Sequence, residues 1–275
     1  MNATEIGTDD LRSPEPESRP MDLHGETLDM LVGGEGPPLL FLHDAGSAGA
    51  WLPVHGLLAE RFTVHAPSHP GFGRSSEFSN VRTVEDIAHL YASVVADLGL
   101  QRPLTVVGSS FGGWIGAELA ARHPDAVDSL VLVDAAGLHL TDHPITYEFD
   151  ADLQWTVDTL FHDPAAFFSL MPAEPDDAFM REVQRNALAF SRFARESNCA
   201  DPELMDLLGA VSASTLVLWG ELDKLIDLEH GRAYAREIPN AHLVTIGDGA
   251  HAVAVEKPKW VADNVIDHVV SHLDS

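Results

Sequence analysis

Residues 104–116 read Leu-Thr-Val-Val-Gly-Ser-Ser-Phe-Gly-Gly-Trp-Ile-Gly. Leu104–Val107 is apolar and largely β-branched, which predicts a buried strand. Gly108-Ser109-Ser110-Phe111-Gly112 follows as a G-x-S-x-G run, and a helical pattern begins at once. A serine on such a sharp strand-to-helix turn has its hydroxyl pushed clear of the sheet. Gly108 and Gly112 stand two residues to either side, where a Cβ would meet the tight turn. The N–H groups of the helix starting near Phe111 favour negative charge at that spot. An ordinary Gly/Ser turn has the same letters, so the meaning of the motif depends on whether an acid and a histidine follow in suitable places.

Downstream, both do. Thr215–Trp219 predicts a strand that ends in Gly220-Glu221-Leu222-Asp223, and His242–Ile246 a last strand that ends in Gly247-Asp248-Gly249-Ala250-His251. Ser110, Asp223 and His251 therefore each fall just after a strand, in the order Ser…Asp…His. A serine hydroxyl is a weak nucleophile at neutral pH, so an imidazole must take its proton. A buried carboxylate holds that imidazole in the right tautomer. Asp134, Asp227 and Asp248 compete for the acid role; Asp134 ends the strand after the nucleophile. Upstream, Pro38–Leu42 is a short apolar strand followed by His43-Asp44-Ala45-Gly46-Ser47, the step where a second oxyanion donor would sit. The backbone N–H groups of Phe111 and Ala45 are the candidate oxyanion hole, with Asp44 the next choice for the second donor, and His43 is a structural histidine at the strand end.

Strand and helix alternate through much of the chain. Thr27–Val32 predicts an edge strand, Trp51–Glu60 a helix and Phe62–Ala66 a strand. Thr83 and Asp86 form a capping box that opens an amphipathic helix carrying Val84, Ile87, Ala88, Tyr91, Val94, Val95 and Leu98 on one face. Val127–Val133 is a further buried strand, Leu228–Glu237 a helix, and Lys257–Leu273 a closing amphipathic helix. The expected fold class is α/β, a mainly parallel central sheet with helices on both faces. Ligands then bind at the carboxyl ends of the strands. The expected core is 22–137 and 209–275. Between them, 138–208 breaks the alternation and predicts a helical cap, with helices near Ala151–Phe161, Pro164–Leu170 and Asp176–Arg195. In the last, Met180, Val183, Ala187 and Phe190 share a face. Trp155, Phe161, Phe167, Phe168, Met171 and Phe190 would supply an apolar pocket roof. Residues 1–21 are polar, acidic and proline-rich, and read as a disordered tail.

Composition narrows the partners. The 275 residues hold 43 Asp+Glu against 16 Lys+Arg, a net charge of −27. Such a surface repels nucleic acid, anionic membranes and polyanionic substrates, so the expected partner is a small apolar molecule. The acidic residues are dispersed, which fits a solubilising surface, and the scarcity of lysine (Lys224, Lys257, Lys259) also fits tolerance of high salt. The single Cys199 forms no intramolecular disulfide and no cysteine-based metal site. No run is long enough for a membrane span and no signal peptide is read, so a cytoplasmic location is expected. Serine chemistry of this kind needs no metal or organic cofactor.

Four segments together resemble an α/β-hydrolase-fold serine hydrolase with a helical cap: Phe41-Leu42-His43 with its loop, the Gly108–Gly113 elbow, Trp219–Asp223, and Gly249-Ala250-His251 followed by Glu256-Lys257-Pro258. The resemblance covers roughly residues 25–272 and implies Asp223 as the acid. It has departures. The usual His-Gly after the third strand is His43-Asp44 here, which brings a carboxylate near the oxyanion loop. Relatives that cleave carbon–carbon bonds of ring-fission products often carry tryptophan where this chain has Ala252. Serine at 110, not aspartate, argues against haloalkane or epoxide chemistry. The expected reaction is hydrolysis of a small, fairly apolar carboxylic ester. Carbon–carbon hydrolysis of a diketone or ring-fission product, cofactor-free perhydrolase or haloperoxidase activity, and non-catalytic ligand binding are the alternatives.

Overall fold

In the computed structural model, residues 15–100 and 104–273 are described. The N-terminal half runs β1 (Glu17–Ser18), β2 (Met21–Leu23), β3 (Glu26–Leu28), β4 (Met30–Gly33), β5 (Pro38–Leu42), α1 (Pro53–Ala59), β6 (Thr63–Pro67), α2 (Val84–Asp97), β7 (Thr105–Ser109), α3 (Phe111–Arg122) and β8 (Ser129–Val133). Next come β9 (Gly137–Leu138), α4 (Leu153–Leu160), α5 (Pro164–Leu170), α6 (Asp177–Ala194), β10 (Ala200–Asp201) and α7 (Leu204–Leu207). The chain closes with β11 (Ser214–Gly220), α8 (Leu228–Glu237), β12 (Ala241–Ile246), α9 (Val253–Glu256) and α10 (Pro258–Leu273).

Eight strands form one sheet in the order β1-β4-β6-β5-β7-β8-β11-β12. From β6 to β12 all neighbours are parallel; β4 pairs antiparallel with β6, and β1 with β4. This is the expected α/β architecture. The strands are apolar on both faces because helices cover both. Leu40 and Leu42 of β5 join one core layer, with Tyr91, Ile115 and Tyr234 from α2, α3 and α8. Leu39 and Phe41 join the other, with Leu58 of α1 and Val261 and Val265 of α10. The period of two along each strand divides the side chains between the layers. The Thr83–Asp86 capping box forms as expected: Thr83 Oγ1 accepts the Asp86 N–H at 3.1 Å and Asp86 Oδ2 accepts the Thr83 N–H at 3.0 Å.

Three expectations change. Glu17 and Ser18, read as part of a tail, pair with Val32 and Leu31 and form the sheet's edge; residues 1–14 lie outside the described residues. The predicted strand Thr27–Val32 divides at Asp29, so that β3 turns back onto β2 while β4 enters the main sheet. The buried face of α6 is Asn186, Ala189, Phe190 and Phe193, whereas Met180 and Val183 are exposed. The anchor of α6 is polar: Asn186 Oδ1 accepts the Gly73 N–H at 2.9 Å, and Arg185 donates to the carbonyls of Gly71 and Ser75. A pattern of apolar letters cannot show that kind of attachment.

Candidate active site

Ser110 sits between β7 and α3 with φ 51° and ψ −111°, a conformation that L side chains rarely adopt. Its backbone is held from three sides. The Ser110 N–H donates to the Val133 carbonyl at 2.9 Å, and its own carbonyl accepts the N–H groups of Trp114 and Ala136, each at 3.1 Å. The turn also needs a close approach. A Cβ on Gly112 would lie 2.0 Å from the Leu42 carbonyl oxygen and 2.6 Å from that of His43. The first turn of α3 is thus packed directly on the end of β5, beside the loop that carries Ala45.

The side chains converge as the chain order predicts. Ser110 Oγ lies 2.8 Å from His251 Nε2, and His251 Nδ1 lies 2.8 Å from Asp223 Oδ2. In the arrangement these contacts allow, the serine O–H donates to Nε2 and the Nδ1–H donates to the carboxylate. The Asp223 side chain is fully buried and that of His251 nearly so. The other Asp223 oxygen, Oδ1, accepts the N–H groups of Leu225 (2.8 Å) and Ile226 (2.9 Å). Local turn contacts therefore hold the carboxylate in addition to its contact with the histidine. A Gly220 Cβ would fall 2.4 Å from the Ala250 carbonyl oxygen, so glycine lets the two loops approach.

Asp134 is not part of this chain of contacts. It is fully buried at the end of β8; its Oδ1 accepts the Gly220 N–H at 2.8 Å, and its Oδ2 has no partner among the described residues. Burial, reinforced by the charge of Asp223, pushes its carboxyl well above the usual range, which favours the neutral acid. Asp227 caps α8 through the Glu229 N–H, and Asp248 pairs with Lys257 at 2.7 Å. Neither is bonded to His251.

The Phe111 and Ala45 N–H groups donate to no acceptor among the described residues. Asp44 folds back onto its own loop: Oδ1 accepts the N–H groups of Gly46 (2.7 Å) and Ser47 (2.9 Å), and Oδ2 accepts the Ser47 hydroxyl at 2.9 Å. His43 is buried and stacked on His69 with ring centroids 3.8 Å apart. Burial lowers its pKa to about 4.

Three residues, Glu256, His69 and Tyr91, have site roles that the letters alone do not assign. Glu256 joins the histidine loop to the helical insertion: Oε2 accepts the Ala250 N–H at 3.0 Å, and Oε1 accepts the N–H groups of His162 and Asp163, each at 2.7 Å. His69 and Tyr91 back the His43 loop, with His69 Nδ1 2.6 Å from the Tyr91 hydroxyl. The position of Glu256 five residues after His251 is visible in the sequence, but two of its three donors, His162 and Asp163, come from a distant segment. Above the elbow, the Phe111 ring meets Phe190 at 5.2 Å and Phe193 at 6.2 Å, so α6 lies against the residue next to Ser110. Cys199 is buried, and its thiol is pushed up to about 12, which leaves it unreactive. No group of His, Cys, Asp and Glu among the described residues is arranged to hold a metal ion.

Comparison with known proteins gives concordant matches. The family model described as "Alpha/beta hydrolase family" matches residues 39–264. An uncharacterized hydrolase, YugF, of Bacillus subtilis is 25% identical over 242 residues, 81% of this chain and 86% of that protein. A 2-hydroxymuconate semialdehyde hydrolase of Pseudomonas putida is 28% identical over 261 residues, 88% of this chain and 90% of its own length. Among solved structures, a bacterial membrane phospholipase A superposes with a TM-score of 0.79 at 25% identity, covering 96% of this chain and 88% of that one. No helix among the described residues is long and apolar enough to cross a membrane.

Proposed function

Because the chain belongs to the alpha/beta hydrolase family, we propose that it is a serine hydrolase that cleaves a small, fairly apolar carboxylic ester through an acyl-enzyme. The observation that carries this reading is the unbroken relay from Ser110 Oγ to His251 to Asp223, with both contacts at 2.8 Å. His251 takes the Ser110 proton as the oxygen attacks the ester carbonyl, and the imidazolium is stabilised by Asp223. The oxyanion is received by the N–H groups of Phe111 and Ala45; one such donor is typically worth about 10²–10³ in rate. His251 then protonates the leaving alkoxide. Water, deprotonated by the same imidazole, attacks the acyl carbon and releases the acid and free Ser110.

The segment 138–208 acts in this reading as a cap. The aromatic contacts of Tyr147, Phe149 and Phe190, at 4.7–5.6 Å, support an apolar roof. A neutral substrate is favoured because Asp44 lies in the oxyanion loop and the chain carries −27. The test is a fluorophosphonate probe followed by mass spectrometry, with p-nitrophenyl esters of graded acyl length. An adduct on Ser110 that disappears in His251→Ala, together with ester turnover lost in Ser110→Ala, is the expected result. Turnover that survives Ser110→Ala would overturn the reading.

A second reading is hydrolysis of a carbon–carbon bond in a ring-fission product, favoured by the similarity to the 2-hydroxymuconate semialdehyde hydrolase. The same triad would serve. Ala252 beside His251 weighs against it, as does the carboxylate of Asp44, because a ring-fission acid is itself an anion. Disappearance of a ring-fission product's visible absorbance at a rate exceeding that of every ester would favour this second reading.

A further inference from the structure

The loop that carries the Ala45 N–H has a hydrogen-bond pattern with one consistent assignment of protons. His43 Nε2 accepts the His69 N–H at 2.9 Å, so the ring proton of His43 is on Nδ1. That Nδ1–H donates to the Asp44 carbonyl oxygen at 2.5 Å. His69 Nε2 lies 3.0 Å from the His43 carbonyl and must donate, which leaves His69 Nδ1 to accept the Tyr91 O–H at 2.6 Å. Every member is a neutral group with its proton fixed. Burial lowers the pKa values of both imidazoles, in agreement with this assignment.

The consequence concerns one peptide plane. In a trans peptide the carbonyl oxygen of Asp44 and the N–H of Ala45 point in opposite directions. Anchoring the oxygen on His43 therefore fixes where the Ala45 N–H points, away from the His43 ring. The next two donors in the loop, Gly46 and Ser47, are both taken up by Asp44 Oδ1, at 2.7 and 2.9 Å. Of three successive N–H groups, only that of Ala45 is left for an incoming oxyanion. The Ser47 hydroxyl, donating to Oδ2 at 2.9 Å, turns the carboxylate toward the loop and disperses its charge.

We propose that Asp44 is a positioning residue for the oxyanion hole: its carboxylate occupies the Gly46 and Ser47 N–H groups and, with His43 holding the Asp44 carbonyl, sets the Ala45 N–H in the orientation the reaction uses. This rests on Ser110 being an acyl-transfer nucleophile. It also accounts for an aspartate in a place where its charge alone would oppose the oxyanion. The side chain acts through its acceptor geometry, and the charge is a cost that the three donors offset.

The experiment compares Asp44→Asn, Asp44→Glu and Asp44→Ala in the full chain. Kinetics on one ester are combined with inhibition by phenylboronic acid, whose adduct with serine carries an oxyanion. Asp44→Asn keeps an oxygen in place for both N–H groups and is expected to retain kcat at or above the wild-type level. Asp44→Glu keeps the charge but moves the acceptor. It and Asp44→Ala are expected to lose about 10²-fold in kcat with KM changed by less than about threefold, and to bind the boronic acid correspondingly more weakly. If Asp44→Ala fails to fold, the Asn and Glu pair still decides. Wild-type kcat in Asp44→Glu, or equal damage in Asn and Glu, would overturn the proposal. Fluorophosphonate labelling of wild-type Ser110 is run alongside. An intact adduct with unaffected Asp44 variants overturns this inference alone, whereas no adduct overturns the serine hydrolase reading beneath it.

Discussion

Asp134 Oδ1 accepts the N–H of Gly220 at 2.8 Å, which ties the end of one central strand to the residue that opens the Asp223 loop. The two carboxyl groups therefore have different work, although each stands at the end of a strand. Asp223 accepts three contacts, from the N–H groups of Leu225 and Ile226 and from His251, while Asp134 is buried with one oxygen unpartnered among the described residues and is pushed toward its neutral form.

An amide in place of each acid separates these roles. Asp134→Asn is expected to fold and to retain kcat/KM within about threefold, since the amide oxygen still accepts the Gly220 N–H and no contact with His251 is lost. Asp223→Asn is expected to lose about 10³–10⁴ in kcat, because an amide N–H facing Nδ1 favours the wrong imidazole tautomer. Steady-state kinetics on a single ester checks both. Equal losses in the two variants would contradict the assignment.

Glu256 receives three backbone N–H groups, two from the helical insertion and one from the residue before His251. Glu256→Ala leaves all three without their acceptor. The expected cost is about 1–3 kcal/mol of stability, with a fall in kcat from a less well-held His251. Urea unfolding and kinetics on the same preparation measure the two effects. An unchanged unfolding midpoint would mean that the contacts add nothing net.

Acid is expected to destabilise the fold early. His43 and His55 are buried, and burial lowers their pKa values from 6.5 to about 4 and about 3. The unfolded chain thus takes up protons first as the pH falls below about 6.5. The stabilisation from these neutral imidazoles is complete above that value and is lost progressively down to the folded-state values. His43 alone accounts for a loss on the order of 3 kcal/mol. Urea midpoints at pH 7.5, 6 and 5 are expected to fall in that order, and a flat series would refute the linkage.

Salt is expected to act in the opposite sense. A chain with 43 acidic and 16 basic residues repels itself when compact. Raising sodium chloride from about 0.05 M to about 1 M shortens the Debye length to about 3 Å and removes most of that repulsion. The melting temperature should rise by several degrees. No rise would show that the acidic surface is already neutralised by its own pairing.

The strand and helix alternation, the Ser110 turn, and the order Ser110, Asp223, His251 at strand ends were determined by the sequence itself. Each is a local matter: a period of two or 3.6, a capping box, a glycine beside a tight turn. Tertiary structure decided what depends on segments far apart in the chain. Asp223 and not Asp134 meets His251 because β11 lies between β8 and β12, so the loop after β11 is the one beside the loop after β12. The buried face of α6 was decided by Asn186 and Arg185 reaching the 71–75 loop, which no apolar pattern encodes. Asp44, which by charge alone opposes an oxyanion, was turned onto Gly46 and Ser47 while His43, His69 and Tyr91 closed around the same loop. A hydrogen bond is set by direction and distance in three dimensions, and the linear order of residues carries neither until the sheet brings the strand ends together.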